Sequence, residues 1–549
     1  MVHLHSAAAG GCPLKTHNAF QPGLVAPPAP PRPQWAADHR GFAAAVLAEV
    51  VAGDRVVDLR GLVDLPLAEQ EQACLAALRE GADVVVGGRL PTADHRVGRP
   101  DLLVRTADGY VPGVVRSYRM FDSRGEDSVA TVSRLGSLTV TEQLAKVRFR
   151  WRYRWHLGLR LAHYHRMLES SGFAGARPLG IVVGDDPLEG LGQVGVWLDL
   201  DCATLPLAGG QPAGPDQEAT SSLARYDYEF AVRLDLARRA VTMEPSPVPA
   251  LLPIRSRECE TCAWSPLCLE RLDPDDLSLR ISKSPLDRHE IAMLREAGVT
   301  TVADLATADL DTLLPRYLPR VGHRKGAEDR VRLAQRRSLL LRDGVQLERI
   351  GKDPVDLPTA PLEIDLDVET SADEKVYLWG FWVSGAAAGE PGYVEFSDFR
   401  PLDEAGEVAL AVRAMSWLRQ RVEGVDSLVF HYSGYERDQL ERLARANDEP
   451  VLQWAVDFSR AHFVDLFPVV RRHFFGTDGL GLKVVASLGA GFSWRDPDPG
   501  GRNSMAWFGE AVDGDTEDAR ARARTRVLEY NEDDVRATER VRVWLRGLG

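Results

Sequence analysis

The chain has 549 residues, more than one hydrophobic core organises, so about three domains are expected. An apolar content of 44% with both charge signs well represented is the composition of a soluble protein. A net charge of −14 excludes a surface coated throughout with nucleic acid but leaves room for a basic channel on an acidic body.

No apolar run reaches the length of about 18 residues that a membrane helix needs, so no membrane span is expected. The opening "MVHLHSAAAGGCPLKTH" lacks the charged and apolar segments of a signal peptide, and the cytoplasm is the expected compartment. "QPGLVAPPAPPRPQ" (21–34) reads as an extended connector. Residues 40–200 mix helical and strand patterns, with "ADVVVGG" and "DLLVRTADGYVPGVV" as strands. In "KVRFRWRYRW" (146–155), Arg148, Arg150, Arg152 and Arg154 alternate with Phe149, Trp151, Tyr153 and Trp155. Cations that neutralise phosphates beside rings that stack on bases suit a single-strand path; an amphipathic element whose arginines pair with local acids is the alternative.

A polar loop (207–222) and a helical stretch precede "CETCAWSPLC", which holds Cys259, Cys262 and Cys268; Cys12 stands alone near the start. Six cysteines are too few for a disulfide scaffold in so long a chain, and their clustering points to metal. Four thiolates suit an iron–sulfur cluster or zinc, and spacing does not separate the two. Cys74 and Cys202 read as ordinary core or surface residues. Residues 276–345 read as short helices, with Leu294 and Leu305 on apolar faces and a turn at Ala297-Gly298. The "LPRVGHRKGAEDR" stretch offers Gly322, Arg324 and Lys325 to a phosphate, as in a helix–hairpin–helix module, unless these helices simply pack as a linker.

After the linker 351–361 comes "LEIDLDVET" (362–370). As a strand it sends Leu362, Ile364, Leu366 and Val368 to one face and Glu363, Asp365, Asp367 and Glu369 to the other. Four like charges on one face repel, and divalent cations would remove the conflict; a solvated edge strand is the bland alternative. At the far end, "RVLEYNEDDVRATERVRVWL" reads as a helix with Val527, Tyr530, Asp534, Ala537 and Val541 on one stripe. Asp534 therefore lies on the packed face and needs a cation, whereas Asp533 points towards Glu529, Arg536 and solvent.

"DVET" on a first strand with "YNEDD" on a late helix resembles the DEDD exonucleases of the ribonuclease H-like fold, matching Asp367/Glu369 and Tyr530/Asp534 to that family's Asp-x-Glu and Tyr-x-x-x-Asp motifs. "VYLWGFWV", "LVFHYSGYERDQLERL", "HFVDLFPVVRRHF" and "GLGLKVVASLGAGFSW" follow in the family's order. The resemblance implies two Mg²⁺ or Mn²⁺ ions held by the carboxylates, with Tyr530 orienting the attacking water; a packed core aromatic is the other reading of Tyr530. Where the family has Asp after an aromatic, this chain has Tyr435-Glu436, with Asp438 and Asp465 as substitute ligands.

One early and three late cysteines resemble the RecB-like nucleases, in which a four-iron cluster ties together the ends of a PD-(D/E)XK lobe. "GRPDLLVR" matches its Pro-Asp at Asp101, with His95 just before, and Tyr164 matches the tyrosine of Gln-x-x-x-Tyr. Val114 and Arg116 replace the acid and lysine, and Arg160 replaces the glutamine, so this lobe is expected to have lost cleavage while keeping its fold and cluster.

The whole chain is similar to RecB-like nucleases that join such a lobe to a ribonuclease H-like domain. The implied architecture is an α/β multidomain protein. It comprises an inactive PD-(D/E)XK-like restriction-endonuclease lobe (1–275), a helix–hairpin–helix-like module (276–345) and a mixed-sheet exonuclease domain (346–549). The implied activity is metal-dependent hydrolysis of DNA or RNA, 3′→5′, on single strands, alongside a repair or helicase partner. The rival is a non-catalytic nucleic-acid-binding scaffold of a repair or defence complex.

Overall fold

The computed structural model describes residues 2–548 except 29, 31–33, 54, 123–127, 150, 187, 189, 213–216, 281–285, 323 and 373. The chain forms two compact units, one built on Met1–Arg280 and Pro285–Ala334, the other on Gln335–Gly549. No described helix is long and apolar enough to cross a membrane.

The first unit is organised by a sheet with nine described strands: β1 (Val56–Asp58), β2 (Val84–Val86), β3 (Leu102–Arg105), β4 (Tyr110–Val115), β5 (Phe121–Asp122), β6 (Ser128–Arg134), β7 (Glu142–Phe149), β8 (Leu179–Val183) and β9 (Val194–Asp199). Their spatial order is β1-β2-β3-β4-β8-β9-β6-β7-β5, with β4 and β8 parallel. Its helices include α1 (Pro13–Phe20), α2 (Gln34–Val51), α3 (Trp151–Ser171) and α4 (Ser222–Val241).

Strand alternation divides the core in two. Leu103, Val114 and Val182 face Leu157, Leu161 and Tyr164 of α3. Leu102, Val115, Ile181 and Val183 face Val46 and Val50 of α2. Covering both faces explains why "VPGVV" reads as continuously apolar rather than alternating.

The same unit holds α5 (Arg288–Glu296), α6 (Val302–Thr307) and α7 (Leu310–Tyr317). Leu294 and Leu305 are buried, and the chain turns after α5 at Gly298, whose φ of 90° suits glycine. Asp287 caps α5 in a reciprocal pair with Glu290, whose buried carboxylate accepts two hydrogen bonds from Arg330 at 2.9 and 2.6 Å.

The second unit is a five-stranded mixed sheet: β10 (Leu362–Thr370), β11 (Val376–Ser384), β12 (Gly392–Ser397), β13 (Ser427–His431) and β14 (Phe463–Asp465), ordered β12-β11-β10-β13-β14. β11 is antiparallel to β10, while β13 runs parallel to it. The helices are α8 (Glu404–Val422), α9 (Tyr435–Ala446), α10 (Pro450–His462), α11 (Leu466–His473), α12 (Leu482–Leu488), α13 (Gly501–Asp513) and α14 (Glu517–Arg546).

β10 is central, which rules out the solvated edge strand. Its apolar face packs on Leu410, Ala414 and Leu418 of α8. Its acidic face lies under α14. That helix starts at a Thr516 cap with Glu517 and Asp518 in its first turn, and its stripe of Val527, Tyr530, Asp534, Ala537 and Val541 is buried.

Candidate metal centre

Although the four acids of β10 share one face, α14 divides them into two pairs. Near the start of the strand, Arg542 binds both oxygens of Asp365 at 3.0 and 2.7 Å and also contacts Glu363, which Arg546 holds at 2.9 and 2.7 Å. Burial raises the Glu363 carboxyl, but Arg546 and Arg542 together bring it below its ordinary value. Burial pushes Asp365 up to about 6 against the pull of Arg542, so it stays ionised at neutral pH. This pair is structural.

Near the end of the strand α14 sets a further carboxylate, and no arginine among the described residues, opposite the acids. Asp367, Glu369 and Asp534 each offer an oxygen to a group in which all three atoms lie within 4.8 Å of one another. Burial, followed by Glu369, Asp534 and Glu436, drives the Asp367 carboxyl well up. Burial and Asp534 push Glu369 up to about 8. Asp534 is raised by burial against the opposing pull of Lys483 and Trp494. Like charges this close do not all ionise without a cation between them, and hard oxygen donors are what Mg²⁺ or Mn²⁺ prefers.

Neighbouring side chains fix each carboxylate. Asn531 Nδ2 donates to Asp367 Oδ2 at 2.7 Å, and Tyr393 Oη donates to Asn531 Oδ1 at 2.7 Å. Ser504 Oγ donates to Glu369 Oε2 at 2.6 Å and lies 2.8 Å from Tyr377 Oη. Trp494 Nε1 donates to Asp534 Oδ1 at 2.6 Å. Lys483 Nζ donates to Tyr530 Oη at 2.9 Å and lies 3.5 Å from both oxygens of Asp534.

The sequence reading missed Lys483, Ser504 and Asn531. Gly380 was the available signal for Asn531: it pairs with Asp367 across the strands, and a Cβ there would lie 1.7 Å from Asn531 Oδ1. A glycine inside "LWGFW" marks a close approach.

Asp533 departs from expectation. It is buried, accepting from Arg495 Nε at 2.9 Å and from the Arg495 backbone at 2.8 Å, because the segment around Arg495 covers that side of α14.

Glu436 is buried at the start of α9, with its Oε2 3.3 Å from His431 Nδ1. It lies outside the three-carboxylate group but close enough for its charge to act on Asp367. Asp465 is engaged elsewhere: it caps α11 through Phe467 N at 2.9 Å and accepts from Ser433 N at 2.9 Å. Asp438 is exposed on α9.

In the first unit, Cys12, Cys259, Cys262 and Cys268 line one small cavity with Ile254 and Trp264. Asn18 Nδ2 points at Cys268 Sγ from 3.6 Å and Ser256 N at Cys259 Sγ from 3.5 Å. Burial pushes the Cys268 thiol up to about 11 and raises Cys262 as well, so thiolates here need a cationic partner. Cys74 is buried in the core and Cys202 is exposed.

At the expected second nuclease site, Asp101 Oδ2 accepts from Arg116 Nη1 and Val115 N, both at 2.8 Å. Tyr164 Oη lies 3.0 Å from Ser6 Oγ and donates to Arg99 O at 3.2 Å. His95 sits in a hairpin turn with φ 64°, its ring 2.8 Å from Val2 O and 2.8 Å from Arg238 Nη2.

Arg150 and the side chains of Arg148, Trp151 and Arg152 lie outside the described residues. The basic–aromatic stretch divides between the end of β7 and the start of α3. Arg154 stacks over Tyr118 at 4.4 Å, and Arg225 covers the Trp155 ring at 4.3 Å, so that ring is already engaged. Arg324 pairs with Asp287 at 2.7 Å, while Lys325 is exposed.

Neither the curated proteins nor the solved structures contain a match to this chain. Residues 365–546 match the family model described as RNase_H superfamily, so this part of the chain is an RNase H-like domain.

Proposed function

We propose that the RNase H-like domain hydrolyses phosphodiester bonds of DNA or RNA as a metal-dependent 3′→5′ exonuclease, and that the first unit binds the nucleic acid. The observation that supports this is the group of Asp367, Glu369 and Asp534 oxygens within 4.8 Å of one another, Asp367 half-buried and the other two buried, with Lys483 as the nearby cation. These three carboxylates would hold Mg²⁺ or Mn²⁺. Two such ions supply Lewis acidity at the phosphate and activate water at neutral pH. Asn531 and Ser504 set the directions of Asp367 and Glu369, and Trp494 does so for Asp534. Tyr530, anchored by Lys483, is the hydroxyl available to orient the attacking water. Glu436, paired with His431 and close enough for its charge to act on Asp367, is the further carboxylate on this side of the sheet.

In the same reading the four cysteines hold a 4Fe–4S cluster or, with the same donors, zinc. The metal then closes a loop between Cys12 and the Cys259 region, a stabilisation that grows with loop length. Iron and sulfide content after anaerobic purification separates the two.

Asp367→Ala with Asp534→Ala tests the centre. Mg²⁺- or Mn²⁺-dependent degradation of end-labelled strands is expected to fall by about a thousandfold or more. Undiminished degradation would remove the proposed site. Lys483 supplies the observation for a second reading, a scaffold that binds without cutting, because its ammonium partly balances the carboxylates on its own. Binding with no degradation across Mg²⁺ and Mn²⁺ titrations would favour that reading.

A further inference from the structure

Strand alternation places Asp101 and Arg116 on the same face as Leu103 and Val114, the face covered by α3. On α3, His156, Arg160 and Tyr164 follow one another at four-residue spacing and form a single stripe. That stripe meets the end of β4: the His156 ring lies 6.3 Å from Tyr118, two residues beyond Arg116, and Arg154 stacks over the same tyrosine ring.

The charges here do not balance. Asp101 is taken up by Arg116 and the Val115 amide. Arg160 is half-buried, and among the described residues no carboxylate or carbonyl pairs with it. Burial and the neighbouring Arg116 hold its guanidinium below the ordinary value. The His156 imidazole is pushed down to about 4 by burial, with Arg160, Arg154 and Arg116 all acting on it. His39, on α2, is lowered by burial, Arg116, Arg160 and Arg40; Asp101 is the carboxylate that opposes them. Asp101 is the one carboxylate whose charge acts on Arg160, and it is already bound by Arg116, so a half-buried guanidinium beside another guanidinium favours a further anion from outside.

We propose that Arg160 and Arg116, with the His156 ring beside them, form a receptor for one backbone phosphate of a nucleic acid strand. The two guanidiniums grip a phosphodiester through charge-assisted hydrogen bonds, and Asp101 holds Arg116 in place for that contact. The site reads no base, so it accepts DNA and RNA alike. The assignment rests on the reading that this chain acts on nucleic acid, but it needs no hydrolysis.

The test is binding of labelled single-stranded DNA and of its RNA counterpart to the full-length chain in EDTA, across a salt titration. Arg160→Gln is expected to weaken affinity roughly tenfold. It should also reduce the slope of log Kd against log salt by about one, whereas Arg160→Lys keeps the slope. Without nucleic acid, Arg160→Gln should melt no lower than the parent chain, since it removes a repulsion. Unchanged affinity and slope in Arg160→Gln would overturn the assignment, and so would a loss of affinity that tracks a fall in melting temperature. A chain that shows the slope change in EDTA yet degrades neither strand in Mg²⁺ rejects the nuclease reading and keeps this one.

Discussion

The two halves of β10 contain the same kinds of side chain and reach opposite electrostatic states. Glu363 and Asp365 meet two guanidiniums on α14 and are closed off as buried ion pairs. Two residues further along, Asp367 and Glu369 meet another carboxylate on the same helix, and the nearby cation is a lysine 3.5 Å from Asp534. Carboxylates on a strand therefore do not define a metal site. What defines it is the residue that the covering helix sets opposite them.

The first unit makes the converse point. Asp101 lies on a sheet face covered by a helix, as Asp367 does, but it is neutralised by Arg116, and the excess charge around it is positive.

Removing the guanidinium at the closed end should have the largest effect. Arg542→Ala leaves Glu363 and Asp365 buried with Arg546 as the remaining cation. A loss of about 3–5 kcal/mol is expected for breaking a buried pair from one side, read as a lower denaturation midpoint of the RNase H-like domain. A loss no greater than that of a surface pair would mean the two halves are less different than their contacts imply.

At the open end, Asn531→Ala removes the donor that fixes Asp367 and leaves the carboxylates themselves in place. Degradation rate or metal affinity should fall about 10- to 100-fold, read as a shifted Mg²⁺ titration.

The halves also separate by pH. Glu369 is pushed up to about 8 by burial and Asp534, above its ordinary value of 4.5, so in EDTA the folded protein holds a proton that the unfolded chain has released. Stability should therefore fall as pH rises between those values, by up to about 1.4 kcal/mol per pH unit for one group. Saturating Mg²⁺ should flatten the decline, because bound cations favour the ionised carboxylates. A melting temperature that shows the same pH dependence with and without Mg²⁺ would contradict the open-end description.

Much of this was legible in the residues. A period of two in "LEIDLDVET" and a three-to-four period in the last helix gave a strand with one apolar and one acidic face and a buried stripe that includes Asp534, but not the strand's central place in the sheet. Arg542 was missed because the stripe was read no further than Val541. Continuing in fours from Asp534 passes Thr538 and reaches Arg542, both buried. Lys483 and Ser504 come from α12 and α13, whose docking on the centre depends on tertiary packing that no local period reports. Asp533 was misjudged for the same reason, since helical geometry says which way a side chain points but not which loop will cover it.

One continuous helix carries Tyr530, Asp534, Arg542 and Arg546. Over those sixteen steps it works as a ruler about 24 Å long. Sliding α14 by a single residue would rotate every one of these groups by about 100°, unseating the ion pairs and the carboxylate together. The clamps at one end of the rod therefore set the aim of the acid at the other, and damage near Arg546 should blur chemistry that it never touches.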